Sequence, residues 1–331
     1  MNAFGGRADA VSRRLFCGAA ATGLAGGAVV QGTDESPAVH SVTLRAGDLE
    51  AVIGDNAAEG VHRAGYNGVW SLKHRLADRS LFVPGIAGLN LEHIVNGTPL
   101  DTDELFFEPR RAAMTLQSLS DTAVRLHQPA TFATGVESST VFRLSAPNVL
   151  DMHFECVPRK PGFPHGYLSL FWASYMQAPA DKSMYFLGGQ PGQPPAWTQL
   201  CTQFHNDQST VRHRSDEYDA VFDADQREAL FRNFSRLRFD APFFYGHFGP
   251  LMWVVLFDRS EGIRLTHSPS GGGFDSARRS SNPAWDFQFL IRNPEVNQAR
   301  GFAVRTILCP AIDRELLPEL AVEWQREVRG R

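Results

Sequence analysis

The chain has 331 residues, of which 43% are hydrophobic, 21% charged and 11% aromatic, a globular balance with enough apolar side chains for a sizeable core. That composition excludes a disordered chain, a collagen-like chain and a small disulfide-framed protein. Thirty-two Lys and Arg against 36 Asp and Glu leave a net charge of −4, so no overall basic field exists to hold nucleic acid or an anionic membrane. With 29 Gly, 20 Pro and 24 Phe, a turn-rich β protein is expected over a helical bundle.

Ser12-Arg13-Arg14-Leu15-Phe16 precedes a weakly apolar, Ala- and Gly-rich run from Cys17 to Val30. This is the pattern of a bacterial twin-arginine export signal. Ser36-Pro37-Ala38 fits a small-x-small cleavage site, with Gly26-Gly27-Ala28 as the alternative. The run is too glycine-rich for a transmembrane helix, which needs about 20 apolar residues. Residues 1–38 are therefore expected to be an export signal and 39–331 a single domain, periplasmic or extracellular, with no transmembrane segment in the mature chain. Loss of the leader removes equal numbers of acidic and basic residues (Arg7, Arg13, Arg14; Asp9, Asp34, Glu35). Cys156, Cys201 and Cys309 then remain, an odd set without CxxC spacing, compatible with buried thiols.

Short apolar or alternating runs recur at 41–45, 49–53, 68–73, 113–119, 122–127, 136–144, 149–157, 167–175, 183–187, 237–239, 251–257, 262–266, 285–291 and 301–308. Turn-forming Gly, Pro, Asn and Asp lie between them, which predicts an all-β, large antiparallel sandwich. Within 149–157, alternation points Leu150, Met152, Phe154 and Cys156 one way and Asp151, His153 and Glu155 the other. That polar row reads as the wet face of an outer sheet. A helix is expected over 223–233. A second, C-terminal helix is expected from about Pro318, with Leu317, Leu320, Ala321, Trp324 and Val328 as its apolar stripe.

Polar and aromatic residues cluster in six turn-rich segments: 62–68, 88–93, 163–167, 205–213, 243–247 and 282–286. Aromatic faces stack on sugar C–H surfaces, while amide, carboxylate and guanidinium groups bond hydroxyls, so these segments are expected on loops and strand ends that converge at one edge or on the concave face of the sandwich. The acids of choice are Glu92 and Asp286, with His93, His165, His213 and His247 as partners. Sugar chemistry needs one proton donor and one acceptor whose surroundings separate their pKa values. Uronate proton abstraction would use Tyr245, His205 or His213, with Arg212, Arg264, Asn67 or Asn206 neutralising the carboxylate. Arg63, Tyr66, Asn67, His205, Arg212, Arg264 and Trp285 complete the expected substrate contacts. No cofactor is implied. A divalent metal is the remaining alternative, held by His153 and Glu155 with His165, His205, His213 or His247, although no HxH or HExxH spacing exists. Neither a GxSxG elbow nor a GxGxxG fingerprint occurs, which argues against a serine hydrolase and a dinucleotide-dependent oxidoreductase.

Gly65-Tyr66-Asn67-Gly68-Val69-Trp70-Ser71-Leu72, Leu81-Phe82-Val83-Pro84 and Gly88-Leu89-Asn90-Leu91-Glu92-His93 resemble secreted bacterial proteins related to the galactose-mutarotase-like supersandwich. Phe163-Pro164-His165-Gly166-Tyr167, Ser268–Gly273 and Asn282-Pro283-Ala284-Trp285-Asp286-Phe287 extend the resemblance, which spans roughly residues 40–310. It implies a carbohydrate-active β-sandwich. The family's spaced catalytic His and Glu have no residue-by-residue counterpart here, so hydrolase, lyase and epimerase all stay open. A non-catalytic carbohydrate-binding protein is the alternative.

Overall fold

The computed structural model describes residues 39–99, 102–224 and 230–330; the export signal expected over 1–38 lies outside them. Strands β1 (Ser41–Ala46), β2 (Leu49–Gly54) and β3 (Gly68–His74) form a small antiparallel sheet. Next come β4 (Asn90–Val95) and two single helical turns, α1 (Asp103–Phe106) and α2 (Glu108–Arg111). A meander of β5 (Thr115–Ser120), β6 (Ala123–Gln128), β7 (Val136–Ser145) and β8 (Val149–Pro158) follows. It leads to β9 (Tyr167–Ala173), β10 (Met184–Gly189), β11 (Ala196–Leu200) and β12 (Thr210–His213). A 3-10 turn at Leu230–Arg232 opens the run β13 (Phe234–Phe239), β14 (Phe243–Phe248), β15 (Leu251–Phe257) and β16 (Ile263–Ser268). The short pair β17 (Phe274–Asp275) and β18 (Ser280–Ser281), then β19 (Ala284–Arg292), β20 (Arg300–Pro310) and helix α3 (Leu317–Arg329) follow.

Fifteen strands share one sheet, in the order β4-β9-β19-β16-β12-β13-β10-β14-β15-β20-β8-β7-β6-β5 with β11 on β10. Its pairs are antiparallel except β12 with β13, which run parallel. The sheet folds over so that its two halves pack face to face. Trp172 of β9 meets Phe154 of β8 at 4.7 Å and Phe302 of β20 at 5.1 Å between ring centroids. Phe287 of β19 meets Phe257 of β15 at 5.1 Å. The fold is thus the expected β-sandwich, stabilised chiefly by removal of these large aromatic and aliphatic surfaces from water.

Alternation decides which side chains enter that core. Leu150, Met152, Phe154 and Cys156 of β8 are all within it, while His153 and Glu155 face outward. Asp151 shares their face but is 2% exposed, because α3 covers it. Arg305 donates to both Asp151 oxygens at 2.8 Å and lies 4.1 Å from the Trp324 ring centroid.

Leu317, Ala321 and Trp324 of α3 pack on Met252, Val254 and Leu256 of β15. Asp313 accepts from the Glu315 N–H and caps the 3-10 turn at Arg314–Leu316, after which Pro318 sits in the first turn of the helix. That is the place where a missing N–H is harmless. The helix expected over 223–233 falls in part on 225–229, outside the described residues; of the rest, Leu230–Arg232 is a 3-10 turn and 223–224 are irregular. Segments 88–93, 205–213 and 243–247, expected as loops and strand ends, run into β4, β12 and β14. Cys156, Cys201 and Cys309 are free thiols, and burial pushes Cys156 up to about 12. Among the described residues no helix is long and apolar enough to cross a membrane.

Candidate active site

The outer face of β4, β9, β19, β16 and β12 is unusually polar. Strand register sets His93 beside Phe171, Gln288, Arg264 and Arg212 in one row, with Thr266 and Thr210 beside Asp286 in the next. Phe106, Phe107 and Phe231, brought by α1, the residue before α2 and the 3-10 turn, pack over Phe171 and close much of this face. At the β4 edge the register slips between Leu91 and His93. This bulge re-aims a side chain: Leu91 enters the core while Glu92 turns toward Tyr175.

Glu92 is 6% exposed. Its Oε1 accepts from Arg110 Nη1 at 2.9 Å and from the Tyr175 hydroxyl at 2.5 Å, and its Oε2 lies 3.7 Å from His93 Nε2. Arg110 also donates to the Gly65 carbonyl at 2.7 Å, and its guanidinium stands 3.9 Å from the Tyr66 ring centroid and 4.6 Å from that of Phe107. Tyr66 in turn meets Tyr175 edge-on at 5.9 Å. Asp286, 1% exposed, accepts the Ser174 N–H at 2.8 Å.

In two groups here burial favours the neutral form. Burial foremost, and the Glu92 charge secondarily, push the Asp286 carboxyl well above the usual range; the Ser174 N–H opposes this without reversing it. Burial, then the charge of Glu92 and its hydrogen bond, likewise keep Tyr175 a phenol. Burial works against the Arg110 cation, but Glu92, Tyr175 and Tyr66 together hold its pKa above the ordinary value. A carboxyl whose acid form burial favours therefore sits near a second carboxyl bonded to a guanidinium, two unlike surroundings of the kind acid–base chemistry uses.

The remaining candidates divide around this cluster. Tyr66 is half-buried, and the exposed Arg63 lies 5.5 Å from its ring centroid. The Asn67 amide is fully engaged with the backbone of Leu91, donating at 2.9 Å and accepting at 3.1 Å, which ties β3 to β4. His93 bonds the Phe106 carbonyl through Nδ1 at 2.6 Å and is packed among Phe106, Phe107 and Phe171. His165 Nε2 faces Asp223 at 3.0 Å, and His205 Nδ1 reaches the Ser268 hydroxyl at 3.2 Å. His213 pairs with the Ser215 hydroxyl at 2.8 Å and packs edge-on against Phe239. Arg212 bonds Asp219 at 2.7 Å, and Arg264, 1% exposed, bonds Asp216 at 2.8 Å. Both guanidiniums therefore organise the loop at 214–219.

Three candidates are elsewhere. Trp285 is wholly buried in the sandwich core, its indole N–H on the Lys182 carbonyl at 2.9 Å, so it offers no stacking surface. Tyr245 and His247 project from β14 on the opposite outer face, where Tyr245 stacks on Tyr185 at 5.2 Å and packs beside α3. The expected hollow thus gathers Glu92, His93, Asp286 and Tyr66, not all the histidines. Among the described residues no three His, Cys, Asp or Glu converge as a metal would require. Arg110 and Tyr175 are the partners that sequence reading missed. Tyr175 ends an apolar run, but nothing near Glu108-Pro109-Arg110-Arg111 marks a site.

No protein-family profile and no curated protein matches the chain. Solved structures do resemble it. The GalM/aldose epimerase homologue of C. elegans is 7% identical over 82% of this chain and 99% of its own, with a TM-score of 0.50. A galactose mutarotase-like protein from Lactobacillus casei is 11% identical over 81% of this chain and 99% of its own, at 0.45. A galactose mutarotase related enzyme from Lactobacillus acidophilus is 10% identical over 82% and 98%, at 0.41. At such identities the likeness concerns architecture, and in architecture the chain is a galactose-mutarotase-like β-sandwich.

Proposed function

We propose that the protein is an exported carbohydrate-active enzyme that moves protons at a sugar, in the manner of an epimerase. The observation that carries this reading is the Glu92–Tyr175–Asp286 cluster, where burial favours the acid form of Asp286 close to a carboxyl bonded by Arg110 and Tyr175. Interconverting sugar configurations needs a donor to one oxygen and an acceptor for a neighbouring proton. Asp286 is the donor and Glu92 the acceptor, while Tyr175 relays between substrate and Glu92 and Arg110 positions the carboxylate. The architecture shared with aldose epimerase relatives supports the same substrate class. The Arg13-Arg14 leader supports export.

The test is anomer exchange by NMR on a panel of aldoses, combined with mass spectrometry of oligosaccharide and uronate substrates. Accelerated exchange without a mass change is expected, and should fall at least about a hundredfold in Glu92→Gln and Asp286→Asn. Gain of water would assign a hydrolase and an unsaturated product a lyase, either of which overturns the epimerase reading. A second reading, a non-catalytic sugar-binding protein, is favoured by one observation: Glu92 Oε1 is already doubly engaged by Arg110 and Tyr175. Sugar binding without turnover, unchanged in both variants, would select it.

A further inference from the structure

A second concavity lies on the other outer face of the sandwich, a groove of about 760 Å³ floored by β5, β6, β7, β8 and β20. Strand pairing orders its side chains in two rows. Thr115, His127, Ser139, Glu155 and Gly301 face one another across the five strands, and Gln117, Arg125, Val141, His153 and Ala303 run beside them. Four interstrand steps make the floor roughly 19 Å long, from ~4.8 Å per step. Small residues lower the floor at Ser139 in its middle and at Gly301 and Ala303 at its β20 end. At Gly301 a Cβ would stand 2.3 Å from the Phe154 carbonyl, so close strand approach confines this position to glycine.

The chemistry of the groove narrows its occupant. Arg125 and Arg259 are matched by Glu155 and Asp258, so the lining has no charge surplus to hold a polyanion. Its exposed side chains are polar; Val141 and Val328 are only half-exposed, and Phe154 and Phe302 are 3% and 4% exposed. A protein partner would want a large apolar anchor at the centre, and none is presented. What is presented is a row of hydrogen-bonding groups on rigid strands. Glu155 is exposed and makes no hydrogen bond or ion pair with any described residue, and Arg125 reaches only Gln117, at 3.4 Å. An uncommitted carboxylate and a guanidinium held only by one long hydrogen bond, of opposite sign and spaced along the floor, suit a ligand that both donates and accepts everywhere and carries no charge.

We infer that this groove binds a neutral oligosaccharide chain, at a site separate from the Glu92 cluster and built from none of its residues. It shares only a ligand class with the proposed function, so either can fail alone. The test is calorimetric titration of the full chain with cellohexaose, xylohexaose, maltohexaose and mannohexaose, with hexagalacturonate as the charged control. At least one neutral hexasaccharide is expected to bind. Glu155→Ala and Arg125→Ala should each weaken it by about tenfold, the loss of one charge-assisted hydrogen bond. Ser139→Trp, which fills the floor from a half-exposed position, should abolish binding, and Glu92→Gln should leave it unchanged. The inference is overturned if no neutral hexasaccharide binds, if hexagalacturonate binds in preference, or if Glu92→Gln abolishes binding while the groove variants do not.

Discussion

His267 offers a quantitative check on how the strand beside Asp286 is held. Its ring points into the sandwich from β16, fully buried, with Nε2 on the Lys182 carbonyl at 2.8 Å and Nδ1 accepting from the Thr202 hydroxyl at 2.7 Å. Both nitrogens are engaged by a neutral ring, and burial lowers the pKa from 6.5 to about 4; the Lys182 carbonyl only partly offsets this. A group whose folded pKa is depressed contributes stability above its unfolded pKa and loses it as pH falls. The full shift corresponds to about 3 kcal/mol, of which about 2 kcal/mol is gone by pH 5. Asp286 titrates in the opposite sense, so the measure is the difference between the native chain and His267→Gln in urea unfolding at pH 7.5, 6 and 5. The native chain should lose about 2 kcal/mol more than the variant between pH 7.5 and 5. Equal losses would mean that the imidazole is protonated within the fold, and the assignment of its bonds would be wrong.

Other expectations concern the site and its supports. Glu92→Gln leaves the Arg110 guanidinium buried without its counter-charge and should cost about 3 kcal/mol; adding Arg110→Met should recover much of that, as a double-mutant cycle in denaturant would show. Because the Asp286 pKa is raised, its stabilising contribution is present below about pH 3.9 and is lost as pH rises. Asp286→Asn should therefore melt higher than the native chain at pH 7.5, with the gap narrowing toward pH 4.5. At Gly246 of β14 a Cβ would stand 2.3 Å from the Trp285 indole, so Gly246→Ala should destabilise by about 1–3 kcal/mol through overpacking in the core; an unchanged melting temperature would contradict that contact.

Period-two alternation made 149–157 legible as β8, with the correct residues inward, because a strand with one buried face must segregate its side chains. The same rule failed for β4, where Asn90, Glu92 and His93 are all buried. Covering turns hide the outer face there, so polarity no longer reports exposure. Pro318 and Asp313 marked the C-terminal helix through local backbone chemistry, and α3 began within a residue of the place they indicate. Of the 223–233 stretch, read as helical from its spacing, the described residues include a 3-10 turn at Leu230–Arg232 whose Phe231 is buried. Glu92 and Asp286 stood out as acids in aromatic, turn-rich contexts. Their common neighbourhood did not, because nearly two hundred residues separate them and only strand order brings β4 and β19 to either side of β9.

The amino-acid order by itself determined the β class, most strand boundaries, and the inward and outward sets of each half-exposed strand. These follow from interactions within a few residues, where side-chain periodicity and turn chemistry suffice. Tertiary structure alone decided that Trp285 is core, that Tyr245 and His247 face away from Glu92, that Arg110 and Tyr175 complete the Glu92 cluster, and that burial raises the Asp286 pKa. Each of these depends on which distant strands pair and on how much water the packing excludes, and neither quantity is encoded in any local stretch of the chain.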